Sequence, residues 1–256
     1  MSGRTRATDG PRDTGGRRRN RRAQSHVVGV ALLLGVAVVS MGALTASIGA
    51  VVEENAADAD AARVADELDA ALEPVEVTGP HRGRVAFARG SLSTTERDLR
   101  ILDESGVVRE VSVGAVVFEA GDRRVTYLSG AVVRGGSGRA RLVHPPPVTA
   151  SRGDGGVLVV GAAKVGALPS IGGREVRVTF ATNVTHDRER LNDGEYRVAV
   201  ETATPAAWER YFEKRGATVS RRDIDGDDTG SVVAAFPGER TAYLVVHDLR
   251  AEVRRG

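Results

Sequence analysis

Residues 18 to 54 read RRNRRAQSHVVGVALLLGVAVVSMGALTASIGAVVEE, an arginine cluster followed by 26 residues, Val27 to Val52, without one charged side chain. The hydrocarbon core of a bilayer is spanned by about 20 apolar helical residues, whereas the apolar core of a secretory signal is only about 7–15 residues long. The run is too long for a signal core. A buried soluble helix of this length needs a polar stripe, and here the only polar side chains are Ser40, Thr45 and Ser47, whose hydroxyls can return to the helix backbone. The pattern predicts a transmembrane helix over residues 24–52, with membrane lipid as its solvent.

The flanks predict orientation. Arg17, Arg18, Arg19, Arg21 and Arg22 precede the run and Glu53, Glu54, Asp58 and Asp60 follow it. An excess of basic residues marks the cytoplasmic side, so the N-terminus is expected inside and the C-terminal part outside. A nucleic-acid-binding arm would want aromatic stacking partners, and residues 1 to 23 contain none. Those 23 residues hold eight Arg and two Asp, a net +6, which subtracted from the whole-chain +2 leaves −4 for the remainder. The basic character of the chain thus belongs to its leader. There is no cysteine, which excludes disulfides, thiol catalysis and thiolate-bound zinc.

At the junction, Arg21, Arg22, Ala23, Gln24, Ser25 and His26 lead directly into the apolar run. This resembles the class III signal peptide of archaeal type IV pilins and pilin-like proteins, in which a basic leader ends in a small residue and a prepilin peptidase cuts on the cytoplasmic side. The resemblance implies scission between Ala23 and Gln24, with residues 1–23 removed and the helix retained. Bacterial pilins carry a Glu at the fifth mature position; Val28 stands there in this chain, so that salt bridge does not carry over. Within the run, Gly35, Gly42 and Gly49 recur every seven residues, and Ala46 and Ala50 extend the Gly42 row. Small residues let a second helix approach, which suggests a packing face for other pilin-like subunits, although glycine is also simply common in membrane helices.

The helix is expected to continue as EENAADADAARVADELDAALEP, residues 53–73 before Pro74, because the segment lacks glycine and sets Ala57, Ala61, Val64, Leu68 and Leu72 in one apolar stripe on an acidic helix. From Val27 to Glu73 such a helix is about 70 Å long, and Pro74 stops it. From residue 74 the apolar period changes to two. RVAFA, VVREVSV, AVVFEA, RVTYLSG, GAVVRG, GGVLVVGA, EVRVTFAT, YRVAVET, GSVVAAF and AYLVVHDL are short runs rich in β-branched residues between Gly, Asp, Asn and Pro turns. The fold class is therefore α+β: a long N-terminal helix and, over residues 74–256, a β-rich, antiparallel, sandwich-like extracellular domain. One short helix interrupts it, with Thr204 as N-cap, Pro205 at the first position, Gly216 as C-cap, and Trp208 with Tyr211 or Phe212 docked on a sheet.

Three further stretches, GAVVFEAGDRRVTYLSGAVVR, VHPPPVTA and AAWERYFEKRGA, resemble the ectodomain of a haloarchaeal family of type IV pilin-like, membrane-anchored proteins, for which no catalysis is known. Val133 stands where that family often has Trp.

Motifs for chemistry are sparse. His26, His81, His144, His186 and His247 show no i, i+2 or i, i+4 pair, and neither GxSxG nor GxGxxG occurs. Asp223, Asp225, Asp227 and Asp228 could supply oxygens to calcium, but the distal Glu of an EF-hand is absent and Asp-Gly between two β-runs reads as a turn. The sequence thus predicts no enzyme, no cofactor, no metal and no nucleic-acid partner. Asn183-Val184-Thr185 is the only N-x-S/T acceptor, expected at a solvent-facing strand end. Two functions stay open: a pilin-like, structural or adhesive subunit at the cell membrane or in a pilus, and a permanently anchored extracellular binding module that never polymerises.

Overall fold

The computed structural model describes residues 17–73, 78–136, 138–151, 153 and 155–256, with the side chains of residues 17–27 and 49–50 left outside that description. The leader before Arg17, the side chains at the Ala23–Gln24 bond, Gly49 of the small-residue face and Pro74 lie outside the described residues; the helix itself ends at Ala71, two residues short of the expected Glu73.

Helix α1 (Arg17–Ala71) is followed by β1 (Gly79–Thr95), β2 (Asp98–Asp103), β3 (Gly106–Ser112), β4 (Ala115–Ala120), β5 (Arg123–Leu128), β6 (Ala131–Arg134), β7 (Arg141–His144) and β8 (Val148–Ala150). Then come β9 (Gly156–Lys164), β10 (Ile171–Gly194), β11 (Arg197–Glu201), α2 (Pro205–Glu213), β12 (Thr218–Arg222), β13 (Ser231–Ala235), β14 (Arg240–Asp248) and β15 (Glu252–Arg255). The chain forms two units, one ending at Asn55 and the other spanning Ala56–Gly256.

In the first unit the helix is long and apolar enough to cross a membrane. Every described side chain from Val28 to Ile48 is exposed. Thr45 Oγ1 donates to the Met41 carbonyl (2.9 Å) and Ser47 Oγ to that of Leu44 (2.8 Å), so these two hydroxyls are satisfied within the helix. Within the described residues the helix already runs from Arg17, ahead of Val27, and arginine and alanine are good helix formers.

In the second unit the acidic turns of α1 bury their apolar stripe. Ala61, Val64, Ala65, Leu68, Ala71 and Leu72 join a core with Val85 and Phe87 of β1, Phe118 of β4, Tyr127 of β5 and Phe180 of β10. Burial of Leu68 and Leu72 alone is worth about 1.5–3 kcal/mol each. The contact is close: a Cβ on Gly83 would lie 2.3 Å from Ala71 Cα. The polar side of the same turns has a second task. β1 meets β4 only over Ser91–Thr95, which leaves its earlier half bare on that side. There Glu67 accepts from the Ala86 amide (2.7 Å) and Asp60 from that of Ala88 (3.0 Å), so helix carboxylates satisfy an otherwise open strand edge.

The strands form a ten-stranded sheet, ordered β7-β6-β5-β4-β1-β10-β14-β9-β8 with β15 also on β10, and a five-stranded sheet, β12-β13-β11-β2-β3. All ten runs read from the sequence lie in strands, and the domain is β-rich as expected. It is not wholly antiparallel: β9 and β14 run parallel from Gly156↔Arg240 to Lys164↔Asp248. In β9 the run is buried from Val160 to Ala163, whereas β14 alternates buried and half-buried positions, so the parallel pair is covered more fully on one face than on the other. A second core joins Leu99, Ile101, Val198 and Val200 of the smaller sheet to Val117, Leu158 and Val160 of the larger, together with α2.

Helix α2 anchors that core through Trp208, Tyr211 and Phe212, all buried. Thr204 occupies its N-cap without a side-chain capping bond, because its hydroxyl is engaged with Thr202 Oγ1 (3.2 Å). Lys214 is the C-cap, and Gly216 follows at φ +81°, a left-handed position suited to glycine.

Candidate functional site: a histidine-lined cleft

The sequence interval from Val143 to Ala150, VHPPPVTA, holds three consecutive prolines. Proline fixes φ and donates no amide hydrogen, so the segment leaves β7 as a stiff strap. Carbonyls tie it down: Gly161 N–H donates to Pro147 O (2.8 Å), and Tyr211 Oη lies 3.2 Å from both the Pro146 and Val148 carbonyls. A Cβ at position 161 would lie 2.6 Å from Pro147 Cγ, so glycine is required for β9 to pass. Burial pushes the Tyr211 phenol up to about 12, which keeps it a donor at any ordinary pH.

Within the second unit this strap forms one wall of a cleft of about 760 Å³; Asp69, Glu73 and Thr78 form another, and His186, Arg188, Val245 and His247 of β10 and β14 its floor. Three of the five histidines line it. His144 sits between two helix carboxylates, with Nε2 3.2 Å from Asp66 Oδ1 and Nδ1 3.0 Å from Asp69 Oδ2. Burial raises the Asp69 pKa, and repulsion from Glu73 and Asp66 adds to that against the pull of His144. His186 and His247 are direct cross-strand partners in the β10–β14 register. Their Nδ1 atoms are 2.8 Å apart with the rings edge to face, and His186 Nε2 is 2.9 Å from Thr78 Oγ1. The lining offers imidazole nitrogens and carboxylates, the donor set of a cation or polar-group binder.

Sequence spacing did not point to this cleft. His144, His186 and His247 are separated by 42 and 61 positions, and what joins two of them is strand register. The available signal was the VHPPPVTA stretch, whose stiffness needs a packing reason.

The residues expected to matter from the sequence are placed elsewhere. At Gly35 and Gly42 an added Cβ would meet nothing within 4 Å, and Ala46 is exposed, so none has a packing partner among the described residues. Asn183 is exposed but does not end a strand: β10 continues to Gly194, with Asn183 opposite Pro80 and its amide donating to Leu249 O (2.9 Å). The polar stretch THDRERLNDG is strand because its charged residues face outward while β14 pairs alongside it. The aspartates after β12 join two antiparallel strands, as the turn reading expected. Asp223 accepts from Gly226 N–H and Asp227 from Thr229 N–H, both at 2.8 Å, with Gly226 at φ +79°. Asp98, Glu201 and Asp225 also converge, but around arginines: Asp98 and Asp225 hold buried Arg100 at 2.6 and 2.5 Å, and Glu201 holds Arg97 at 3.0 Å.

Among known proteins, one family model matches residues 22–252, that of a family of unknown function, DUF7289. No curated protein and no solved structure matches the chain.

Proposed function

We propose, from the premise that this chain belongs to the DUF7289 family, that it is a single-pass membrane protein of pilin-like build with a structural or adhesive role at the cell surface. In this reading a prepilin peptidase removes residues 1–23, the helix from Gln24 stays in the membrane or enters a filament core beside other pilin-like subunits, and the β-rich domain faces outward. The observation that carries the reading is the division of labour along one 55-residue helix. Its Val28–Ile48 stretch exposes apolar side chains, and the apolar stripe Ala61, Val64, Leu68 and Ala71 of its last turns is buried in the β-rich unit. Exposed leucines and valines at that density need an apolar solvent or an apolar neighbour. The basic residues before the run and the acidic ones after it support an inside N-terminus.

The test is N-terminal sequencing of the protein from its native membrane, combined with recovery of sheared surface filaments. A mature terminus at Gln24 and subunits in the sheared fraction are expected. Retention of Met1 to Ala23 would remove the pilin-like reading. A terminus at Gln24 with all protein left in membranes would instead favour an anchored module that does not polymerise.

A further inference from the structure

We propose that His186 and His247 form a two-histidine site for a divalent transition-metal ion of the copper or nickel class at the floor of the proline-walled cleft. The two residues face each other across β10 and β14, on paired backbones that hold the rings in place. Their Nδ1 atoms are 2.8 Å apart. With metal–nitrogen bonds of about 2.0–2.1 Å, that separation subtends about 85–90° at the metal. This is the cis angle of square-planar or octahedral coordination; a tetrahedral zinc site would need the nitrogens about 3.3 Å apart. Thr78 Oγ1 lies 2.9 Å from His186 Nε2, and in the tautomer that donates Nε2–H to this hydroxyl His186 presents its Nδ1 lone pair on the His247 side. The cleft has room for water in the remaining positions, and among the described residues that line it Asp69 and Glu73 stand against Arg188.

The experiment uses the full-length chain in detergent with Cu²⁺ as probe, in a His26→Asn background. That change removes the copper site which scission before Gln24 would create at the third residue of a new N-terminus. Paramagnetic resonance should show one Cu²⁺ per chain coupled to two imidazole nitrogens. Thr78→Val should weaken binding about 10–100-fold, the usual effect of a lost outer-shell partner, and His186→Asn or His247→Asn by more, while His81→Asn, which lies outside the cleft, should not change it. Absence of stoichiometric copper, coupling to a single nitrogen, or unaltered affinity in both cleft-histidine variants would overturn the site. The wild-type spectrum decides the matter even if a variant folds poorly.

Discussion

Tyr127 shows how one side chain joins elements that are far apart in the chain. Its ring is fully buried in the core beneath α1, and its hydroxyl donates to the Leu72 carbonyl (2.8 Å) just past the end of that helix. Burial, reinforced by the nearby Glu73 and Asp69 charges, pushes the phenol well above its usual pKa, so it stays a donor. Carbonyls at a helix end have no partner within the helix, and Tyr127 supplies one. Tyr127→Phe should lower stability by about 1–3 kcal/mol, the penalty for leaving a buried acceptor unsatisfied. Thermal melting of the purified protein checks it, and an unchanged midpoint would mean that water replaces the phenol. Trp208 is the contrasting case: it is wholly buried and packed with Tyr211 and Phe212, yet its indole N–H has no hydrogen-bond partner among the described residues. Its contribution is apolar packing, as its place on the inner face of α2 suggests.

At the scale of elements, the joint between α1 and β1 depends on a glycine. Gly83 is paired with Phe180 of β10, and its missing side chain lets the Ala71 backbone approach. Gly83→Val should push the helix end off the strand and cost about 1–3 kcal/mol through overpacking. Ala71→Gly should not rescue it, since the clash at 2.3 Å is with the Ala71 Cα itself and the Cβ contact at 2.4 Å is only a second one. Hydrogen exchange over residues 56–71 reads this directly: faster exchange in Gly83→Val is expected, and full restoration by Ala71→Gly would refute the backbone clash. Helix displacement would also free the Ala86 and Ala88 amides, which opens the edge that Glu67 and Asp60 cover.

For the molecule as a whole, acid sensitivity follows from carboxylates whose pKa values move in opposite directions. Arg221 grips Glu209 with two nitrogens and lowers its pKa. A lowered carboxylate contributes stability above its unfolded pKa of about 4.3 and loses it as pH falls through the folded value. Glu201 is the reverse: burial raises it despite the pull of Arg97, so its contribution is complete below about 4.3 and is lost as pH rises through the raised value. Glu209→Gln should therefore flatten the loss of stability on the acid side. Glu201→Gln should leave that limb and flatten the slope above it. Denaturation midpoints at pH 3, 5 and 7 separate the two, and identical profiles for both variants would contradict the assignment.

The same scales separate what the chain makes legible from what it does not. Local periodicity carried the long apolar helix, the acidic stripe at Ala61, Val64, Leu68 and Leu72, the ten β-branched runs and the Thr204–Pro205 start of α2, because each depends on neighbours within a few residues. The strand DLRILD was missed, since Arg100 in its centre looks like a surface residue until Asp98, Glu110 and Asp225 surround it. The polar half of β10 was missed for the same reason: outward-facing charge hides a strand whose partner lies some 50 residues away in β14. Strand pairing sets the parallel β9–β14 contact, the cover of helix carboxylates over β1 and the meeting of His186 with His247. Sequence alone determined the long helix, α2 and the apolar-patterned strands; only the tertiary structure decided where the charged strands lie and which segments pair, because hydrophobic burial is non-directional and register emerges only when distant strands close on one another.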